Sequence, residues 1–320
     1  MIKVGIIGTG LSANTFHKPA IELCDNFKLT NTLSSKDNMP SDFYSAPFDL
    51  AVITSPNFLH YKHARTCLEN GKHVLLEKPF TLTLKEAEIL YNIAEQKNLT
   101  INPYFNRRYD SDFLYLKKEL NPKTIKSVKT FESYFDKFIP DIKHTKWKFL
   151  DLPGSGLFHD ISPHIIDQAL FIFGTPRLIS AEIRTLKKKS LSNDYFDINM
   201  QYDNLIVRLG SNAHNIKLRD RFRVGMTQKS IVTTGLDTYE QNFKKISLMP
   251  YFAEEFSQAN ETQKVNFSPA VYSNFYADLY KKLSKNRFFI EIEDCLNNVK
   301  IMNSCVISST KNKAISYQSI

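Results

Sequence analysis

Met1-Ile2-Lys3-Val4-Gly5-Ile6-Ile7-Gly8-Thr9-Gly10-Leu11-Ser12-Ala13 opens the chain, and its reading decides the fold. A short apolar run, a glycine turn and a mixed apolar and polar stretch through Leu23 spell strand, turn and helix. A pyrophosphate fits that order: Gly8 allows the tight turn, Gly10 lets backbone approach the phosphates, and Ala13 brings helix against strand. Free N–H groups and the dipole at the helix start favour the anion. Thr9, Leu11 and Ser12 complete the candidate phosphate-binding set. The opening has neither the basic n-region nor the long apolar h-region of a signal peptide.

Working outward, a second strand over residues 27–33 ends on Ser34-Ser35-Lys36, where an NAD-selective fold usually places an acid against the adenosine ribose. Two hydroxyls and an ammonium suit a 2′-phosphate, so NADP is expected ahead of NAD; a polar turn after a strand is compatible with the same residues. The third strand, 49–53, is followed by Thr54-Ser55-Pro56-Asn57, too close to Lys36 for a full helix and strand between them. A helix over 58–70, closed by Gly71, puts His60 towards the crevice if the turn after Asn57 is tight. His63 and His73 read as surface or packing histidines.

Gly71-Lys72-His73-Val74-Leu75-Leu76-Glu77-Lys78-Pro79 is an apolar run of parallel-sheet type that stops at two charges and a proline. Ligands bind beyond the carboxyl ends of such strands, which makes Lys78 a candidate catalytic cation. Pro79 fixes its own φ and pushes Lys78 towards an extended conformation, so this strand end is stiff.

The 320 residues suffice for two domains, and 42% hydrophobic content is that of a globular protein. No apolar run reaches the length of a membrane span. A net charge of +9 could advertise nucleic acid, but Lys187-Lys188-Lys189 is the one lysine run, without aromatic interleaving, so a solvated surface is expected. Cys24, Cys67, Cys295 and Cys305 lack paired spacing and read as reduced, mostly buried thiols of a cytoplasmic protein.

Past Pro122 the pattern changes. Strand-like runs at 127–138, 179–185, 195–202, 205–213, 221–226 and 229–234 alternate in polarity, which suggests an antiparallel sheet covered by helix on one face. The covering helix spans 158–173, ends at Gly174 and buries Ile165, Ile166, Ala169, Leu170 and Phe173. Asp160 and His164 are four apart on it, a spacing at which a carboxylate can orient an imidazole base; a capping aspartate and an unrelated histidine would show the same spacing. His159, Asp160 and His164 could also suggest a metal, but adjacent helical residues diverge and no further ligand cluster is evident, so none is expected. Apolar runs such as Ile231-Val232 and Leu205-Ile206-Val207 leave groups for the other sheet face, predicting a homodimer or homotetramer through this sheet.

Taken together, these residues resemble the glucose-fructose oxidoreductase / inositol 2-dehydrogenase / MocA family along nearly the whole chain. The matching stretches are the glycine turn, Thr54 to Asn57 with His60, Gly71 to Val74, Glu77-Lys78-Pro79, Asn106-Arg107-Arg108-Tyr109-Asp110, Phe131 to Asp136, Trp147, and the Gly154 to Gly174 segment with Asp160 and His164. Asn106 to Asp110, with Asp167-Gln168-Ala169-Leu170, looks most like the branch containing NADP-dependent scyllo-inositol dehydrogenases. Three departures stand out: Ser162 replaces a family glycine, His159 stands where the branch often has tyrosine, and the region 34–48 is shortened.

The resemblance implies an α/β protein with a Rossmann-type parallel sheet in residues 1–120 and a substrate-binding and oligomerisation α+β domain on a mostly antiparallel open sheet in 121–320. It implies a hydride-transferring dehydrogenase for a cyclic polyol or sugar. Lys78 and His164 would contact the reacting hydroxyl while Asp160 orients the site, with the nicotinamide in the crevice between the two halves; which base takes the proton stays open. Tyr134, Trp147 and His159 would join them around the substrate, and Ser55, Pro56, Asn57, His60, Glu77 and Asn106 would line the cofactor. A non-catalytic nucleotide sensor on the same fold is the alternative.

Overall fold

The structure, a computed structural model, describes residues 1–34, 41–140, 146–236, 251–259 and 261–319. Ser35 and Lys36, two of the three residues of the expected 2′-phosphate set, lie outside the described residues. By internal contacts the chain forms two compact units, Met1–Asn106 with Val271–Val299, and Arg107–Ala270 with Lys300–Ile320. The division expected once near residue 120 is thus crossed twice more, because residues 271–299 return to the first unit.

In the first unit, β1 (Ile2–Ile7), β2 (Phe27–Leu33), β3 (Leu50–Ile53), β4 (His73–Leu76) and β5 (Ile101–Pro103) form a parallel sheet in the order β2-β1-β3-β4-β5. Its interior strands are apolar on both faces, as a covered parallel sheet requires: all four residues of β3 are buried, as are Val74, Leu75 and Leu76 of β4. After β1 the chain passes through a π-helical turn, Ala13–His17, into α1 (Lys18–Glu22), and a short α2 (Ser41–Ser45) is all that separates β2 from β3. Helix α3 (His60–Glu69) buries Ala64, Cys67 and Leu68 and gives way to Gly71 at φ +73°. Helix α4 (Leu84–Gln96) starts at a reciprocal cap, in which the Glu86 N–H donates to the Thr83 hydroxyl and the Thr83 N–H to the Glu86 carboxylate.

The second unit holds a nine-stranded sheet in the order β13-β12-β11-β10-β6-β9-β8-β7-β14. Its strands are β6 (Val128–Tyr134), β7 (Leu178–Arg184), β8 (Tyr195–Gln201), β9 (Ile206–Asn212), β10 (Phe222–Met226), β11 (Lys229–Thr234), β12 (Phe252–Ser257), β13 (Thr262–Asn266) and β14 (Ile315–Ser316). The β6–β9 pair is parallel and the other pairs are antiparallel. Helix α5 (Ser111–Glu119) leads into this sheet, and α6 (Gly156–Phe173) covers one face, burying Ile161, Ile165, Ile166 and Ala169 against Phe131, Phe196, Ile198, Val207 and Leu209. Helix α7 (Ser273–Leu283) belongs to the first unit, and the unit boundary falls within α8 (Ile292–Lys311).

The other sheet face is more polar than expected. Ile231 and Val207 are fully buried in the core, and their neighbours Val232 and Ile206 alternate to the second face, where they stand among polar groups: Arg208 pairs with Glu132 at 3.5 Å and Arg219 stacks on the Tyr134 ring at 3.8 Å. Of those runs, Ile206 is the exposed member, at 42%. Strand alternation explains this, since successive side chains point to opposite faces. All four cysteines are free, with Cys67, Cys295 and Cys305 buried, and no helix among the described residues is long and apolar enough to cross a membrane.

Candidate active site

The order of the parallel sheet places a topological switch between β1 and β3: from β1 the chain moves outward to β2, then returns to β1's other side. Ligand crevices form at such a point, beyond the carboxyl ends of the strands. Pairing of Leu33 with Ile7, Ile7 with Ile53 and Ile53 with Leu76 makes these ends level. The residues that follow, Ser34, Gly8, Thr54 and Glu77, therefore stand along one edge, tied by Gly8 N–H to Leu33 O at 2.8 Å, Thr54 N–H to Ile7 O at 2.8 Å and Glu77 N–H to Ile53 O at 3.0 Å.

A dinucleotide fits this edge on three observations. Gly8 has φ +94°, and a Cβ there would stand 2.8 Å from the Thr54 carbonyl, so only glycine lets the turn close on β3. Gly10 faces open space, with no atom within 4 Å of where a Cβ would be, which leaves its backbone approachable. The Asn14 amide braces the turn from behind by donating to Thr9 O at 2.9 Å and Gly10 O at 3.0 Å, while Leu11 is exposed and Ala13 fully buried against the sheet. Third, Ser55 at the switch point has a buried hydroxyl with no hydrogen-bond partner among the described residues. A buried orphan hydroxyl at a ligand edge is the kind of group a bound molecule satisfies.

Not every expected cofactor residue reaches that edge by side chain. His60 is fully buried, and its ring nitrogens lie 2.7 Å from Pro79 O and 3.0 Å from Ser55 O; it ties the ends of β3 and β4 rather than facing the crevice. Burial pushes its pKa down in spite of the two carbonyls. Asn57 begins a 3₁₀ turn, Asn57–Leu59, behind Pro56 and is buried, as is Asn106. The Glu77 carboxylate takes the Ser12 hydroxyl, His17 Nε2 at 3.2 Å and the Lys78 N–H at 3.0 Å. Burial alone would raise its pKa, but the donors His17 and Ser12 and the charge of Lys78 outweigh that and hold it at about 2. The Lys78–Pro79 peptide is cis.

In the second unit the start of α6 is set by Asn193, which accepts Leu157 N–H on its backbone oxygen at 2.8 Å and Phe158 N–H on its amide oxygen at 2.7 Å. His164 is buried on this helix, one turn beyond Asp160. The Asp160 carboxylate is gripped by Lys137 Nζ at 2.9 Å and Lys148 Nζ at 2.7 Å. Sequence reasoning missed both lysines, although each directly follows a residue it had singled out, Asp136 and Trp147. Trp147 begins the short 3₁₀ turn, Trp147–Phe149, that delivers Lys148. His159 packs its Nδ1 3.1 Å from Ser155 O, burial lowers its pKa, and it lines an open cleft of about 560 Å³ with Ser155, Thr185, Ser192 and Asn193. Tyr134 is not brought to this helix. It alternates with the core residues Phe131 and Ser133 and so lies on the face away from α6, under Arg219.

With this geometry in hand, the chain can be set beside known proteins. Residues 32–105 match the model of an oxidoreductase family with an NAD-binding Rossmann fold, and residues 113–232 match the GFO/IDH/MocA C-terminal domain. The chain belongs to the Gfo/Idh/MocA oxidoreductase family. It is an oxidoreductase with an NAD(P)-binding Rossmann domain. The Escherichia coli (strain K12) oxidoreductase YdgJ is 34% identical, covering 78% of this chain and 76% of its own. Scyllo-inositol 2-dehydrogenase (NADP(+)) IolW of Bacillus subtilis (strain 168) is 25% identical over 98% of this chain and 95% of its own. Among solved structures, the YPO2259 protein of Yersinia pestis superimposes with a TM-score of 0.87 at 28% identity, covering 98% of this chain and 97% of that one.

Proposed function

We propose that this family member is an NADP-preferring dehydrogenase that interconverts a secondary hydroxyl of a cyclic polyol or sugar, inositol-like in shape, with its ketone. The observation that carries the reading is Lys78 leaving β4 beside the switch point, on the edge where Gly8, Gly10 and the orphan hydroxyl of Ser55 offer a dinucleotide its place. The NADP-dependent relative supports the cofactor preference, and Ser34 at the end of β2 stands where the adenosine ribose is read in this fold. Sugar-acting relatives, among them glucose-6-phosphate 3-dehydrogenase of Bacillus subtilis (strain 168), support the substrate class.

A nicotinamide cofactor held at Gly8, Gly10 and Ser55 would supply the hydride chemistry, and the protein's own residues manage the proton. In this reading Lys78 and His164 contact the reacting hydroxyl, one removing its proton while the other steadies the developing alkoxide. Asp160, clamped by Lys137 and Lys148, orients that site, and Trp147 and His159 border the substrate. The test is a panel of inositols and sugars with NADP and NAD, followed at 340 nm; folded protein that reduces neither cofactor with any of them refutes the proposal. Lys36→Asp checks the preference, since it is expected to weaken NADP and relatively favour NAD. Assembly into a homodimer or homotetramer through the open sheet face in the cytoplasm completes the proposal, and light scattering that shows a monomer at micromolar concentration would count against the assembly.

A further inference from the structure

His17 lies on no sequence motif discussed above, yet it is fully buried at the end of the π-helical turn that follows the glycine loop. Its Nδ1 is 2.7 Å from the Tyr276 hydroxyl and its Nε2 3.2 Å from Glu77 Oε1. The ring packs 4.2 Å from that of Tyr104, which follows β5. Glu77 is ionised and can only accept, so Nε2 carries a hydrogen. Burial drives the Tyr276 pKa well up, so its hydroxyl stays protonated; it donates to Nδ1 of a neutral ring and accepts from Nδ1 of a charged one. Tyr276, His17 and Glu77 form one hydrogen-bonded chain.

At the far end Glu77 holds two things together, the Ser12 hydroxyl at the mouth of the glycine turn and the backbone N–H of Lys78. All five residues belong to the first unit, although Tyr276 arrives on α7, 259 residues after His17. We propose that His17, backed by Tyr276, is a positioning residue for the dinucleotide: by donating to Glu77 it locks the start of the phosphate-facing helix to the strand end that carries Lys78. This rests on the dehydrogenase reading above. Without the imidazole the carboxylate keeps its burial but loses a donor, and the Ser12 and Lys78 contacts then depend on its protonation. The groups facing Glu77 are His17, Ser12, Lys78 and, through its charge, the buried His60; those facing His17 are Glu77, Tyr276 and the ring of Tyr104.

The experiment measures NADPH affinity by fluorescence titration, and thermal melting without ligand, both across pH, for wild type, His17→Phe, His17→Gln and Tyr276→Phe. His17→Phe keeps an aromatic ring in place and is expected to bind NADPH about tenfold more weakly near pH 7, the scale of one hydrogen bond to a charged group. Its affinity should titrate where that of wild type is flat. His17→Gln, which retains an N–H, should recover most of the loss, and Tyr276→Phe, which removes one hydroxyl and keeps the packing, should fall between. The sign of the melting difference is fixed by linkage. The folded-state pKa of Glu77 is held at about 2 against an ordinary 4.5, so its stabilisation is present above that ordinary value and lost as pH falls towards 2. The gap between wild type and His17→Phe should therefore be widest near neutral pH and close on acidification. Wild-type NADPH affinity in both His17→Phe and Tyr276→Phe at every pH overturns the proposal, as does a melting gap with unchanged affinity. Wild-type protein that shows the melting gap but binds neither dinucleotide would instead sink the dehydrogenase reading and the positioning role with it.

Discussion

Gly8 and Gly10 stand two residues apart in one turn, and the structure assigns them separable jobs that one pair of substitutions can tell apart. In Gly8→Ala the new methyl sits on a backbone with φ +94°, which costs an L-residue about 1–2 kcal/mol. It also lands 2.8 Å from the carbonyl carbon and oxygen of Thr54 and 2.9 Å from the nitrogen of Ser55. Those atoms cannot withdraw cheaply, because the Thr54 N–H donates to Ile7 O at 2.8 Å and its hydroxyl to Gly8 O at 2.7 Å. Overpacking against held backbone adds about 1–3 kcal/mol, for a total loss of about 2–5 kcal/mol. Gly10→Ala meets neither penalty: nothing lies within 4 Å of its methyl and its φ is not left-handed. Its stability should stay within about 0.5 kcal/mol of wild type. The same methyl nevertheless occupies the open space where a pyrophosphate would approach, so NADP affinity should fall at least about tenfold, or about 1.4 kcal/mol. Urea unfolding midpoints and NADPH titrations on both variants decide the matter. A Gly8→Ala protein as stable as wild type, or a Gly10→Ala protein with full affinity, would show that the turn does not work this way.

Lys78→Ala should lose about a hundredfold or more in kcat while NADPH affinity is largely kept, as stopped-flow and binding measurements would show; near wild-type kcat removes the lysine from the chemistry. Asp136, buried under Arg219 at 2.7 Å and also accepting the Asn212 N–H at 3.1 Å, should cost about 1–3 kcal/mol as Asp136→Ala by urea denaturation, because the buried Asn212 N–H loses its acceptor and Arg219 is left with Asp197 at 3.8 Å. Ser162→Ala should be neutral or stabilising by about 1 kcal/mol in the same assay, since the serine hydroxyl is buried with no hydrogen-bond partner among the described residues and alanine is the better helix former.

Where the chain announces itself, the signal is local. The glycine turn after β1, the charged stop after β4 and the alternating runs of β6 to β11 each decide their structure from neighbours a few residues away, and each is found within a residue or a few of where the sequence places it. Weak local patterns go unread. The charged Phe252–Ser257 and Thr262–Asn266 strands close one end of the nine-stranded sheet, the second of them as an edge with a single neighbour, and little alternation is demanded there. Helix α4 was legible in principle from the Thr83 and Glu86 capping pair. Tyr134 was legible too: with Phe131 and Ser133 turned to the core, alternation alone sends it to the opposite face. What no local rule could supply is the return of residues 271–299 to the first unit, which brings Tyr276 to His17 across 259 positions. A motif search stops at residues proposed to carry the chemistry, here Lys78, Asp160 and His164. The groups that hold such residues still, His17 for Glu77, and Lys137 and Lys148 for Asp160, are bound to them by burial and charge rather than by spacing. They become visible only when the question changes from which residues could react to which partners a buried or clamped carboxylate must have in order to remain ionised.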